Sequence, residues 1–252
     1  MTFAFAGDTH FDGPLRNALA VDPAAGIDVA TEANNHGVDF GPDGLVDTLA
    51  ARAQSTGVKV IGIGRDAADA YAPYRATVHG ERIAIIAASQ VIDGSLLASW
   101  SATDTQAGIA SALDMPRLPA AVRAARTVSD TVVVFLHWGT EGTHCPTSRQ
   151  PTTAAQLVAG GADIIVGSHS HQLEGAGHLG SALVDYGLGN FAFYTGTTTG
   201  ILTVTMTGRH VDTYGWVPAR ISGGAPQSVT GAGATSAVTA WQGLRSCTDL
   251  TP

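Results

Sequence analysis

The chain has 252 residues and a mass of 25.7 kDa, enough for one large domain or two small ones with a core that closes without disulfides or metal. Charged residues are 13% against about 25% in an average soluble protein, and 44% are apolar, which excludes a disordered or acidic-tail protein. The 13 Lys+Arg, with Lys59 the single lysine, face 21 Asp+Glu; a net charge of −8 without a basic run excludes charge-driven nucleic-acid binding.

Taken in chain order, short β-branched or apolar runs predict strands over 2–6, 27–30, 58–63, 74–78, 82–88, 131–137 and 163–166. Further strands are expected over 182–186, 200–206 and 210–217. Helical spacing marks 43–54, 117–128 and 152–159, the first after Gly41-Pro42 and the third after Pro151. Residues 197–199 and 223–235 read as turns or surface loop, and 236–247 as a closing helix with Trp241 and Leu244 on one face. Strands alternating with helices argue an α/β class, and the strand-only final third argues a mixed sheet of the α+β kind. With no repeat and no long linker, one domain over 1–252 is expected, with 219–252 as its C-terminal loop and closing helix.

Nine histidines stand out in so weakly charged a chain, and neutral imidazole is the commonest protein metal ligand. Asp8 and His10 follow the first predicted strand, and Asn34-Asn35-His36 follow the second. His137 ends the run Thr-Val-Val-Val-Phe-Leu-His, and Gly167-Ser168-His169-Ser170-His171 follows the strand over 163–166. Four strands thus deliver donors at their carboxyl ends, the edge where α/β sheets bind ligands. In Asp8-x-His10 and His169-x-His171 the two-residue spacing turns both side chains to one side of extended backbone. Nitrogen and oxygen donors without thiolate suit Mn, Fe or Zn, and their number exceeds what one catalytic zinc takes, so two divalent ions are expected. A lone histidine is usually a hydrogen-bonded structural residue, and His79, His144, His178 and His210 are read that way. Gly62-Ile63-Gly64-Arg65-Asp66-Ala67 lacks the third small residue of a dinucleotide fingerprint and opens no clear helix, so it is read as a tight turn. Gly187-Leu188-Gly189-Asn190 is too short for a phosphate loop, and no Gly-x-Ser-x-Gly elbow exists.

At these residues the chain resembles the bacterial capsule-synthesis CapA family, the poly-γ-glutamate biosynthesis proteins of the calcineurin-like metallophosphoesterase superfamily. The resemblance runs from Phe5-Ala6-Gly7-Asp8 through Ala33-Asn34-Asn35-His36-Gly37-Val38-Asp39-Phe40-Gly41 and His137-Trp138-Gly139-Thr140-Glu141. It continues through Gly161–His171 and closes on Tyr186-Gly187-Leu188-Gly189-Asn190-Phe191. It implies a four-layer α-β-β-α metallophosphoesterase-like sandwich with a metal cleft at the strand ends. Carried over by motif, Asp8, His10 and His171 hold the first metal, and Asn35, His137 and His169 the second. His36 contacts the substrate phosphate and protonates the leaving oxygen, while the cations neutralise phosphate oxygens and activate water for in-line attack. Asp39 and Glu141 orient ligands, and Asn190 is either such a group or part of a turn.

One departure from the family pattern is plain. The superfamily bridges its metals with a carboxylate, supplied in CapA relatives by Asn-Leu-Glu ahead of Asn-Asn-His. Here 24 residues separate His10 from Asn35 and contain no such stretch, so one sheet is expected to be shortened by an internal deletion near the N-terminus. Asp12, Asp22, Asp28 and Glu32 are the acidic substitutes at hand, with Glu32, three residues before Asn35, the first choice. The leading expectation is a metal-dependent phosphoesterase tied to capsule or other envelope polymer and its synthesis machinery. The alternative is a catalytically impaired accessory protein that binds an anionic envelope polymer or a synthase partner. No run approaches the ~18–20 apolar residues of a membrane helix. The opening MTFAFAGDTH carries no export leader, so the expectation is cytoplasmic, or membrane-associated or extracytoplasmic if the N-terminus is incomplete. Cys145 and Cys247 read as two independent thiols or as one disulfide tying the tail to a loop, the latter needing an oxidising compartment.

Overall fold

In the computed structural model the described residues are 1–10, 26–113 and 116–252. In chain order they form β1 (Thr2–Phe5), β2 (Asp8–Thr9), β3 (Val29–Thr31), α1 (Gly41–Gln54), β4 (Lys59–Ile61), β5 (Ile63–Gly64) and α2 (Ala67–Ala70). There follow β6 (Tyr74–Val78), β7 (Glu81–Ser89), α3 (Leu97–Trp100), β8 (Gly108–Ile109), α4 (Arg117–Arg126), β9 (Thr131–His137) and α5 (Arg149–Gly160). The last third holds β10 (Ile164–Ser168), β11 (Ala176–Leu179), β12 (Ala182–Asp185), β13 (Asn190–Ala192), β14 (Thr198–Thr207), β15 (His210–Ser222), β16 (Ala225–Ser228) and α6 (Gly231–Gly243). A 3₁₀ turn over Leu244–Cys247 completes the order. The class is mixed α/β with several sheets, as the alternation of patterns predicts.

These residues gather into two compact units, one from 1–10, 139–158 and 163–252, the other from 26–113, 116–138 and 159–162. In the second unit β7 lies between β6, its antiparallel hairpin partner, and β9, which runs parallel to it from Ile83↔Thr131 to Ser89↔His137. The run Thr-Val-Val-Val-Phe-Leu-His of β9 is buried at every position but Phe135, the signature of a strand covered on both faces. Helix α4 covers this sheet with Leu118, Val122 and Ala125, at the i, i+4 and i+7 spacing of one helix face. Strands β3 and β4 pair in parallel, and Ile61 packs with Ala33 and Ala87. The predicted strand over 58–63 is broken in two, because Gly62 takes a φ of 81° between Ile61 and Ile63. The glycine-rich turn after it does open a helix, the single turn α2, capped by Asp66 accepting the Asp69 N–H.

In the first unit β14 and β15 form a long hairpin flanked by β1 and β16, while β12 pairs in parallel with β10 and antiparallel with β11. Alternate residues of β14 (Leu202, Val204 and Met206) are buried, and on β15 Trp216 stacks on Trp241 of α6 at 5.6 Å. The 223–235 region is not the loop its composition suggests: it contains β16 and the start of α6. Thr198 and Thr199, expected in a turn, open β14. Cys145 and Cys247 are joined in a disulfide across a separation of 102 residues. No described helix is long and apolar enough to cross a membrane.

Candidate functional site

The first set of motif residues belongs to the first unit. Beyond β1 the chain squeezes past Gly189: a Cβ on Gly7 would stand 1.9 Å from the Gly189 carbonyl oxygen, so only glycine allows the passage. Immediately after it the Asp8 N–H donates to that carbonyl at 2.8 Å, and β2 pairs in parallel with β13, Asp8 opposite Asn190. The Asp8 carboxylate accepts the His169 N–H through Oδ2 at 3.0 Å, and the same oxygen lies 3.9 Å from His171 Nδ1. Burial holds the Asp8 carboxyl above the usual carboxylate range; the His169 N–H and the His171 ring pull it back, and the charge of Glu141 adds to the rise.

His169 and His171 both sit at positive φ, 96° and 56°, a conformation that costs a non-glycine residue on the order of 1–3 kcal/mol. The turn is held there by several hydrogen bonds besides the one to Asp8. The Ser170 carbonyl accepts the Gly142 N–H at 2.8 Å, and the Ser170 hydroxyl donates to the Gln172 carbonyl at 2.9 Å. His171 Nδ1 lies 2.6 Å from Asn190 Oδ1, and the Asn190 amide in turn donates to the Thr195 carbonyl at 3.3 Å. Asn190 is therefore the group that orients His171, which leaves Nε2 as the outward nitrogen. His10 donates its N–H to the Ala192 carbonyl, and its ring stands edge-on to Phe193 and Tyr194 at 5.5 and 5.1 Å. Phe193 reaches the His171 ring at 5.0 Å, so one aromatic residue braces both histidines.

The second set belongs to the other unit, in the loop after β3. Asn34 Oδ1 accepts the His36 N–H at 2.7 Å, and buried Ala33 and Val38 anchor the loop ends. Asn35 Oδ1 stands 2.8 Å from His137 Nε2, joining a loop residue to the end of β9. His137 is buried there, and its carbonyl accepts the Gln90 N–H at 2.8 Å. His36 is 72% exposed and donates from Nδ1 to Asp39 Oδ2 at 2.7 Å, with Nε2 3.3 Å from the Asn35 amide nitrogen. Glu32 hydrogen-bonds the Asn34 side chain, and burial lifts its carboxyl above the usual range. Asp12 and Asp22 lie outside the described residues.

Among the described residues no three His, Cys, Asp or Glu side chains converge on one point that would hold a metal. The donors nevertheless fit divalent ions in kind: two ligands about 2.1 Å from an ion and at right angles stand about 3 Å apart, close to the spacing of Asn35 Oδ1 and His137 Nε2. Asp8, buried with its carboxyl raised, is the kind of oxygen donor a cation relieves. Asn190, read from the sequence as either an orienting group or part of a turn, is the partner of His171. Sequence reasoning missed Phe193, whose only signal is its place just past Gly187-Leu188-Gly189.

The fold is similar to that of a solved phosphatase. A phosphatase from Mycoplasma pneumoniae superposes with a TM-score of 0.53 at 11% identity, over 87% of this chain and 93% of that one. The chain belongs to the bacterial capsule synthesis protein PGA_cap family, whose pattern matches residues 2–195. It is 31% identical over 215 residues to the capsule biosynthesis protein CapA of Bacillus anthracis, covering 82% of this chain and 51% of that protein. It is 34% identical over 179 residues to the PGA biosynthesis protein CapA of Bacillus subtilis (strain 168), covering 68% and 43%. The chain thus spans about half the length of the curated relatives it matches.

Proposed function

We propose that the chain is a metal-dependent phosphoesterase serving the synthesis of capsule, poly-γ-glutamate or a related envelope polymer. The observation that carries this reading is the 2.8 Å meeting of Asn35 Oδ1 with His137 Nε2, two residues 102 positions apart, each at a motif position. Asp8, His10 and His171 would hold one divalent ion, and Asn35, His137 and His169 a second, with Glu32 the candidate for the missing bridging carboxylate. Bound, such ions supply Lewis-acid neutralisation of phosphate oxygens and an activated water at neutral pH. His36 would act on the substrate directly. Asp39 takes its Nδ1–H and fixes the ring plane, so Nε2 is the position from which a proton reaches the leaving oxygen. Asn190 keeps His171 turned, and Phe193 keeps His10 and His171 from swinging away. The Cys145–Cys247 disulfide supports work in an oxidising compartment outside the cytoplasm.

Hydrolysis of an aryl phosphate monoester and diester, with and without added Mn, tests the reading alongside metal analysis of the purified chain. We expect bound divalent metal, turnover that requires it, and a loss of at least about 100-fold in His137→Ala with the fold intact. A folded, metal-loaded chain that hydrolyses neither ester would leave the accessory-protein alternative standing.

A further inference from the structure

Behind the His169–His171 turn lie two carboxyl groups that the proposed chemistry does not use. Glu174 and Asp185 are both 0% exposed. Glu174 Oε2 accepts from Gln150 Nε2 at 3.1 Å, and Asp185 Oδ1 accepts the Gly187 N–H at 3.0 Å. Glu174 Oε1 and Asp185 Oδ2 find no partner among the described residues. Both groups close on Gly187: a Cβ there would meet Glu174 Cγ at 2.8 Å, on the same residue whose N–H Asp185 holds. Asp185 also stands opposite Val166, two residues before the end of the strand that runs into the turn. The Ser170 hydroxyl, in the middle of the turn, faces the Glu174 carboxyl.

Among the described residues no ion pair joins either carboxyl to a cation. Arg245 spends Nη1 on the Ala176 carbonyl and the Tyr214 hydroxyl, and His144 Nδ1 lies on the Leu173 carbonyl. The Tyr186 hydroxyl donates to Asp249, a further negative group. Two ionised carboxylates in such a place are untenable, whereas a carboxylic acid supplies the missing donor.

We propose that at least one of Glu174 and Asp185 is protonated at neutral pH, and that this partly neutralised pair acts as a positioning element under the His169–His171 turn through Ser170. Burial is the main cause that lifts both carboxyls to about 7, and the charge of Glu174 raises Asp185 further. A carboxyl raised on folding stabilises the fold fully below its unfolded value, and that stability is lost as pH rises through the folded value. The wild-type chain therefore loses stability between about pH 5 and pH 7. Glu174→Gln and Asp185→Asn each replace one titrating carboxyl by a permanent donor and remove its share of that dependence.

The proposal is independent of the phosphoesterase reading, because its test needs no substrate. Urea unfolding of the full chain is followed from pH 5 to 8 for wild type and both single amide variants. Taking differences between wild type and variant cancels what the histidines and Asp8 contribute. Relative to either variant, the folded-to-unfolded ratio of wild type should fall about 40-fold between pH 5 and 7, approaching one power of ten per unit in the middle of that range. Hydrogen exchange at the His169 and Gln172 amides should speed up over the same range in wild type and not in Glu174→Gln. Infrared spectra of wild type alone should show a protonated carboxyl band at pH 6.5 that is lost by pH 9. Parallel pH–stability curves for wild type and the variants, or no protonated carboxyl band at pH 6.5, would overturn it. Exchange at the turn that is equally insensitive in wild type and Glu174→Gln would overturn the positioning role.

Discussion

His171 shows how far the direction of one side chain is set by its neighbours. Its backbone is at a φ of 56°, its Nδ1 is 2.6 Å from Asn190 Oδ1, and its ring leans on Phe193. Without Asn190 the ring can rotate or change tautomer, and Nε2 no longer has a fixed direction. Asn190→Ala should weaken divalent-metal binding about 10–100-fold, the usual cost of removing a group that orients a ligating histidine. Stability should fall by only about 1–3 kcal/mol, the scale of lost buried hydrogen bonds. Titration with Mn followed by calorimetry, beside a urea melt, separates the two effects. Equal metal affinity in variant and wild type would mean that His171 is held by Phe193 and its backbone alone. His36 sits in a different situation: it is open to solvent, and its one strong tie is to Asp39.

At the scale of elements, Arg52 ties α1, whose Leu45 is buried in the core, to the strands beside it. Arg52 donates Nε to the Val60 carbonyl at 3.0 Å and Nη1 to the Ile63 carbonyl at 2.8 Å, and it pairs with Asp69 at 3.0 Å. It thereby caps both pieces of the strand that Gly62 interrupts, which explains how the break is tolerated. Arg52→Met keeps the aliphatic stem but orphans two carbonyls and leaves the Asp69 carboxylate to Arg65. We expect a loss of about 2–4 kcal/mol in denaturant midpoint analysis, since charged donors are worth more than neutral ones. Elements of this kind also show where sequence reading reached. The continuous apolar run of β9 and the alternation of β14 are legible because burial dictates them directly. β16 was illegible: Ala-Pro-Gln-Ser has no period, and Pro226 is acceptable only because the strand is an edge. The beginning of α6 was hidden by its Gly-Ala-Gly, a composition that reads as loop until the helix packs its Trp241 on Trp216. The site divides the same way. Asp8-x-His10 and His169-x-His171 could be found by local spacing. The partnership of Asn190 with His171 could not, because it depends on β2 pairing with β13.

At the scale of the chain as a whole, the last residues are bound into the first unit by more than burial. Thr251 and His178 exchange backbone hydrogen bonds at 3.0 and 2.7 Å, Arg245 reaches the Ala176 carbonyl, and the Tyr186 hydroxyl donates to Asp249. To this the Cys145–Cys247 disulfide adds a link to the loop whose Gly142 N–H holds the Ser170 carbonyl. The cross-link therefore restrains the tail and, two steps away, the turn that carries His169 and His171. Closing a loop of 102 residues removes freedom mainly from the unfolded chain, a contribution of about 2–4 kcal/mol. For a chain of this size that corresponds to roughly 5–15 °C in Tm. Thermal melts with and without a thiol reductant should differ by this amount, and Cys145→Ser with Cys247→Ser should melt at the lower temperature in both buffers. Thiol counting in denaturant should find two reactive sulfurs only after reduction. If reduction leaves Tm unchanged although both thiols are released, the backbone bonds of Thr251 and His178 suffice to hold the tail, and the disulfide is dispensable for stability.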